Sequence, residues 1–112
     1  MGGERNVHAF NRLRVEFDLR LAHLTALEFD AAGNVYLGAL TMRHRQTAPY
    51  DVLEQRSMVV VVSPAGRELR RIPLPAPATA LEFLRSIRVS PDGTVWHLAY
   101  DAHGATLRRY GR

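Results

Sequence analysis

The chain writes one turn three times, and this repetition limits what it can fold into. Leu27-Glu-Phe-Asp-Ala-Ala-Gly-Asn-Val-Tyr36 aligns without a gap on Ile87-Arg-Val-Ser-Pro-Asp-Gly-Thr-Val-Trp96, sixty positions later. The apolar positions, the turn glycine, the valine after it and the closing aromatic all coincide. Ser63-Pro64-Ala65-Gly66 repeats the chemistry of Ser90-Pro91-Asp92-Gly93. Asp and Ser oxygens bond nearby backbone, proline presets φ and glycine takes the left-handed conformation, so each segment predicts a short hairpin loop. The flanking runs Leu24–Phe29 and Val35–Leu40 hold the apolar and aromatic residues that pack well on a pleated surface. The repeating unit is a β-hairpin.

The rest of the chain fits around these hairpins. Val7–Phe10 is a short apolar segment, and Leu13, Val15, Phe17, Leu19 and Leu21 then alternate with Arg14, Glu16, Asp18 and Arg20. That period of two predicts a strand with one wet face near a sheet edge. In the central hairpin Val35, Leu37 and Ala39 point one way and Tyr36, Gly38 and Leu40 the other, so both faces need cover. Thr41–Ser57 reads as a long irregular insert with one helical turn in Val52–Arg56. Met58–Val62 predicts an interior strand and Glu68–Leu74 its partner, with Pro73, Pro75 and Pro77 ending the pairing. Thr79-Ala-Leu-Glu-Phe83 copies Thr25-Ala-Leu-Glu-Phe29 at an offset of 54, which conflicts with the sixty-residue register. Residues 78–86 therefore stay open between a strand extension, a helical turn and coincidence. Ser86–Val89, Thr94–Tyr100 and Ala105–Tyr110 complete the strands, with Asp101-Ala-His-Gly104 as the last turn. No helix of ordinary length is predicted. The expectation is one all-β domain over 1–112, with N-terminal strand or strands near 7–21, a full four-stranded unit at 24–74 and a strand-poor unit at 86–110.

On Phe29-Asp-Ala-Ala-Gly-Asn-Val-Tyr36, Val60-Val-Val-Ser-Pro-Ala-Gly-Arg67 and Val89-Ser-Pro-Asp-Gly-Thr-Val-Trp96, the chain resembles blades of a β-propeller. The resemblance is to the broad group that includes NHL-type and gluconolactonase-type propellers. It implies antiparallel four-stranded blades, about two of them, whereas propellers close with about four to eight. Two blades alone leave edges and half-covered sheets. The resemblance thus implies completion, by the remainder of a longer propeller or by self-association into a homo-oligomer, for instance three chains in a six-bladed ring. A β-sandwich or barrel is the alternative. Gluconolactonase-like propellers hold a divalent cation through Glu, Asn and Asp, but no position here matches those ligands and none is carried over.

Charge and composition narrow the function classes. The formal net charge is +4 and all fifteen basic residues are arginine. The pairs Arg70-Arg71 and Arg108-Arg109 fall on alternating strands and read as solvated faces, not as a phosphate-tracking stripe with interleaved aromatics, so nucleic acid is not an expected partner. Without cysteine there is neither a disulfide framework nor a thiolate metal site. No apolar run reaches the roughly 20 residues of a membrane span, and the polar start Met1–Asn6 lacks the apolar stretch of a secretory signal. No membrane and a cytoplasmic location by default are the expectations.

Candidate chemistry is sparse. His8, His23, His44, His97 and His103 show none of the paired spacing common in zinc sites and read as surface or half-buried side chains. Asp30, Asp92 and Asp101 read as turn caps. Nucleophile elbows, glycine-rich phosphate loops and paired carboxylates do not occur. No catalytic residue, metal or cofactor is assigned, and Tyr36 and Trp96, equivalent in the repeat, read as core aromatics. The candidate ligand-binding residues are Arg43, His44, Arg45, Tyr50 and Asp51, which put donors, an aromatic ring and a carboxylate on the insert. A solvated loop or a subunit contact is the plainer alternative. The functional expectation is a non-catalytic, propeller-like interaction module for a protein or small polar ligand. A propeller-type hydrolase or lactonase with a divalent metal, and a structural subunit of a larger assembly, are the alternatives.

Overall fold

The structure, a computed structural model, describes residues 12–75 and 86–111. Strands β1 (Arg20–Phe29), β2 (Val35–His44), β3 (Val52–Val62) and β4 (Glu68–Leu74) form an antiparallel meander in chain order. Strands β5 (Ile87–Val89), β6 (Val95–Asp101) and β7 (Gly104–Tyr110) form a second antiparallel sheet, again in chain order. The protein is all-β, without a helix among the described residues, and neither sheet closes on itself.

The three repeated turns adopt one geometry. The N–H groups of Gly33, Gly66 and Gly93 donate to the carbonyls of Asp30, Ser63 and Ser90 at 3.1, 2.8 and 2.9 Å. In the same turns Asp30, Ser63 and Ser90 donate to the carbonyls of Asn34, Arg67 and Thr94 at 3.2, 2.8 and 2.9 Å. The glycines sit at φ of 86, 85 and 90°, the left-handed region that strains any side chain. This is the three-residue hairpin loop ending in a left-handed glycine, and it joins β1 to β2, β3 to β4 and β5 to β6.

The sheets pack face to face. Tyr36, Val59, Val61, Ile72 and Leu74 from the first sheet form one buried cluster with Ile87 and Val95 from the second, edged by Ala26, Val89 and Tyr110. Burial of a side chain of this size contributes about 1.5–3 kcal/mol. On the opposite face of the first sheet Val35, Val60 and Val62 form a smaller cluster, covered by Leu13, Val15 and Phe17. Gly38 is hemmed in by β1 of its own sheet and by Ile87 of the second. A Cβ there would run into Thr25 Oγ1 and meet Ile87 Cδ1 at 3.0 Å and Ala26 Cβ at 3.1 Å.

Several details differ from the sequence expectation. Leu13–Leu19 is extended, with exposure alternating along it, but no ladder pairs it and β1 begins only at Arg20. The segment lies across the outer face of the first sheet instead of along its edge, and any extended chain laid on an apolar surface alternates in this way. Arg71 holds it there: Nη2 donates to the Glu16 carbonyl at 2.8 Å and the guanidinium stacks 5.1 Å from the Phe17 ring centre. Glu68 anchors Arg71 in turn through bonds of 2.8 and 2.9 Å, which hold the Glu68 carboxyl below its ordinary range. The expected insert Thr41–Ser57 is mostly ladder, because Thr41 pairs with Arg56, Met42 with Gln55 and Arg43 with Glu54. Val52–Arg56 is strand and not a helical turn, leaving a loop of 45–51. Pro73 does not end the pairing, since it faces Met58 inside β4, an edge strand where a missing N–H costs no ladder bond. Val7–Phe10 and almost all of the ambiguous stretch 78–86 lie outside the described residues.

Two substitutions follow from this geometry. Gly93→Val, forced to hold a φ near 90°, is expected to lower stability by roughly 1–3 kcal/mol in chemical denaturation. Gly38→Ala is expected to lower Tm, whereas Gly104→Ala, with no atom within 4 Å of the added Cβ, leaves it unchanged. Equal melting curves for the two alanine variants would contradict the tight packing around Gly38.

Candidate functional site

The far ends of β2 and β3 carry the candidate ligand residues. Arg43 Nε lies 3.6 Å from Glu54 Oε1 across the ladder, and Arg45 Nε lies 3.8 Å from Asp51 Oδ2 across the loop. The loop is closed by the Arg45 N–H donating to the Asp51 carbonyl at 2.8 Å and the Tyr50 N–H donating to the Thr47 carbonyl at 2.9 Å. Tyr50 has a left-handed φ of 61°, unusual for a non-glycine residue, and its side chain is 60% exposed. Arg43, His44, Arg45 and Tyr50 come together around an open hollow of about 600 Å³, whose wall also includes Asp18, Arg20, Met42 and Gln46. Asp51 does not line it and serves as the partner of Arg45.

The arginine side chains at the hollow are more than half exposed, at 56% for Arg43 and 54% for Arg45. Their surface ion pairs are worth about 0–1 kcal/mol each, so a competing carboxylate can exchange with Glu54 or Asp51 at little cost. Guanidinium groups accept planar anions in a bidentate fork, and an exposed phenol ring adds an apolar wall. The contributions of Asp18 and Arg20 were not visible in the sequence. They arrive because Arg20 pairs with Met42 at the start of β1, which brings the crossing segment beside the end of β2.

A second polar cluster joins the turns where the sheets meet. The Asp30 carboxylate accepts from the N–H groups of Ala32 and Asn34 at 2.9 and 3.0 Å, from Asn34 Nδ2 at 2.8 Å and from the Tyr36 hydroxyl at 2.7 Å. The Tyr36 hydroxyl also lies 3.5 Å from the Gly93 carbonyl, and the Ala31 N–H donates to the Pro91 carbonyl at 2.8 Å. Burial, reinforced by the hydrogen bond to Asp30 and its negative charge, pushes the Tyr36 phenol up to about 12. Burial alone would raise the Asp30 carboxyl, but the bonds from Asn34, Tyr36 and Ala32 together hold it below its ordinary value. Each Asp30 oxygen accepts two bonds from its own turn and the strand that follows, so the carboxylate is held in place by the fold.

The two aromatics of the repeat part company. Tyr36 is core, while Trp96 is half-buried on the outer face of the second sheet, stacked under Arg109 at 5.9 Å, with its indole N–H donating to Ser90 Oγ at 2.8 Å. His97 also departs from expectation. It is buried, at 6% exposure, because it shares the inward side of β6 with Val95. The sequence pattern did not reveal how much apolar surface stays open. Leu24, Leu27 and Phe29 are 62, 59 and 58% exposed beside a groove of about 860 Å³ that runs between β1 and the Leu13–Phe17 segment. Leu98 and Leu107 are 46 and 62% exposed on the outer side of the second sheet.

The Asp30–Tyr36 cluster makes stability depend on pH in two windows. The Asp30 contribution is complete above its ordinary value of 3.8 and is lost as pH falls below it through the depressed folded value. The Tyr36 contribution is complete below pH 10 and is lost as pH rises from there through about 12. Tyr36→Phe is expected to remove the alkaline loss specific to this residue and to lower stability at neutral pH by the worth of a hydrogen bond to a charged group, about 1.5–3 kcal/mol. A thermal melt series across both windows checks this.

Among the described residues no three or more His, Cys, Asp or Glu side chains gather as a metal-holding group, and no helix is long and apolar enough to cross a membrane. No protein-family model, no curated protein and no solved structure matches the chain.

Proposed function

We propose that this chain is a pair of propeller-type blades serving as a non-catalytic interaction module, and that it binds an anionic group of a protein or small polar ligand. The observation that carries the binding reading is the hollow at the end of β2 and β3. There Arg20, Arg43, His44 and Arg45 stand around an exposed tyrosine, facing Asp18 as the carboxylate on the wall. Exposed cationic side chains with readily exchanged ion pairs, set on loop ends away from the core, suit a recognition site on a rigid sheet scaffold. The blade reading is supported by the four-stranded meander, the common turn geometry and the face-to-face stacking of the two sheets.

Titration of the labelled protein with citrate and with an acidic peptide, followed by amide NMR shifts, tests the proposal. Saturable shifts confined to residues 43–46, Tyr50 and the Asp18–Arg20 wall are the expected result. Arg43→Ala combined with Arg45→Ala is expected to weaken the interaction about tenfold or more, since hydrogen bonds to charged groups contribute about 1.5–3 kcal/mol. The fold should persist, because both arginines make only exposed ion pairs. Non-saturating shifts, or affinity unchanged in the double variant, would overturn the assignment of this hollow.

A further inference from the structure

The sixty-residue repeat also identifies what each sheet face is built to meet. Leu27, Phe29, Val35 and Leu37 on the outer face of the first sheet align with Ile87, Val89, Val95 and His97 on the inner face of the second. Tyr36, Gly38 and Leu40 on the inner face of the first align with Trp96, Leu98 and Tyr100 on the outer face of the second. The ladders keep the same correspondence, since Tyr36 pairs with Val61 where Trp96 pairs with Arg109, and Gly38 with Val59 where Leu98 pairs with Leu107. The sheets inside one chain therefore stack head to tail, the aromatic face of one blade seated on the aliphatic face of the next.

Each of the two faces left over from that contact stays partly open, the first sheet's only beside the Leu13–Phe17 segment, which already covers Val35. The aliphatic face of the first sheet exposes Leu27 and Phe29 at 59 and 58% beside the 860 Å³ groove. The aromatic face of the second exposes Leu98, Tyr100 and Leu107 at 46, 37 and 62%. Apolar area of this kind, contiguous and on two opposite sides, marks interaction surface. We infer that a second copy of this chain docks the Trp96–Leu98–Leu107 face of its second sheet into the groove beside Leu27 and Phe29 of the first sheet, continuing the intrachain stack between molecules. The inference rests on the blade reading above and adds the partner and the two faces involved.

The contact is heterologous, so it propagates until the rotation closes a ring or a filament grows. Its affinity comes from apolar burial and not from copied polar bonds. Inside the chain Ala31 N–H donates to the Pro91 carbonyl and Glu28 Oε1 accepts from Val89 N–H at 3.3 Å. At the intermolecular equivalents Pro91 has no N–H to give and the Arg88 side chain has no oxygen to accept. The interchain stack is accordingly the weaker of the two and depends on concentration.

Light scattering coupled to size exclusion, at low and high protein concentration, is the first arm of the test. Masses of two or more 12.6 kDa chains that grow with concentration are expected. A monomer at every concentration overturns the inference, whether the faces are covered by the chain's own remaining residues or by another protein. The second arm separates head-to-tail stacking from any symmetric pairing. Leu98→Asp with Leu107→Asp, and Leu27→Asp with Phe29→Asp, are each expected to give monomers that keep the wild-type circular dichroism, since all four side chains are more than two-fifths exposed. Mixed together, the two variants still hold one intact copy of each face and should form a dimer that grows no further. Oligomers that survive in either variant, or a mixture that stays monomeric while the wild type associates, overturn it as well. Citrate or acidic-peptide binding at the Arg43–Arg45 hollow is read separately, so loss of one conclusion leaves the other standing.

Discussion

Tyr36 is the residue on which the two layers depend. Its ring is 3% exposed between the sheets, and its hydroxyl reaches Asp30 in its own turn and the Gly93 carbonyl in the equivalent turn of the other sheet. A buried phenol needs a hydrogen-bond partner, and here the partner is supplied by turn geometry. The apolar surface drives the sheets together without direction, and the Ala31–Pro91 bond sets where along the strands they stop. The left-handed glycines matter for the same reason, because they aim the turn carbonyls that make these contacts.

Away from this contact the strands continue without an apolar core. β2 and β3 run beyond the core, where charged and polar residues replace the valines and the ladder is held by its own backbone bonds and by exposed ion pairs such as Arg43–Glu54. The ladder carries Arg43 and the loop carries Arg45 and Tyr50 to one hollow, where these side chains stay exposed to solvent. The crossing segment Leu13–Phe17 does two things at once. It covers Val35, Val60 and Val62, and it leaves beside β1 the groove that the second sheet of another copy would fill.

Much of the strand plan was legible because hairpin turns and strand alternation are local. Asp30–Gly33, Ser63–Gly66 and Ser90–Gly93 behave as their residues require, and Met58–Val62 is the buried centre of its sheet. The misread segments fail for one reason. Alternation reports which side of an extended chain is wet, not which neighbour its backbone bonds, so Leu13–Leu19 looked like an edge strand. Thr41–His44 and Val52–Ser57 looked irregular because strands that outrun the core lose their apolar pattern while keeping their ladder. The candidate site was legible in the run Arg43-His44-Arg45 and in Tyr50, but not in Asp18 or Arg20, whose approach depends on the path of the chain before β1.

Hairpin loops with left-handed glycines, valine-rich central strands and two apolar faces on the strands of the first hairpin were already written in the local order of residues. These follow from steric limits on φ and from the two-residue period of a strand, which act within a few residues. Which faces meet was set by the packing of the two sheets. Tyr36 became core and Trp96 surface although the repeat makes them equivalent, because the first sheet has a second one to lie on and the described second sheet has nothing beyond it. Burial is a property of what stands opposite a residue, and no local pattern carries that information.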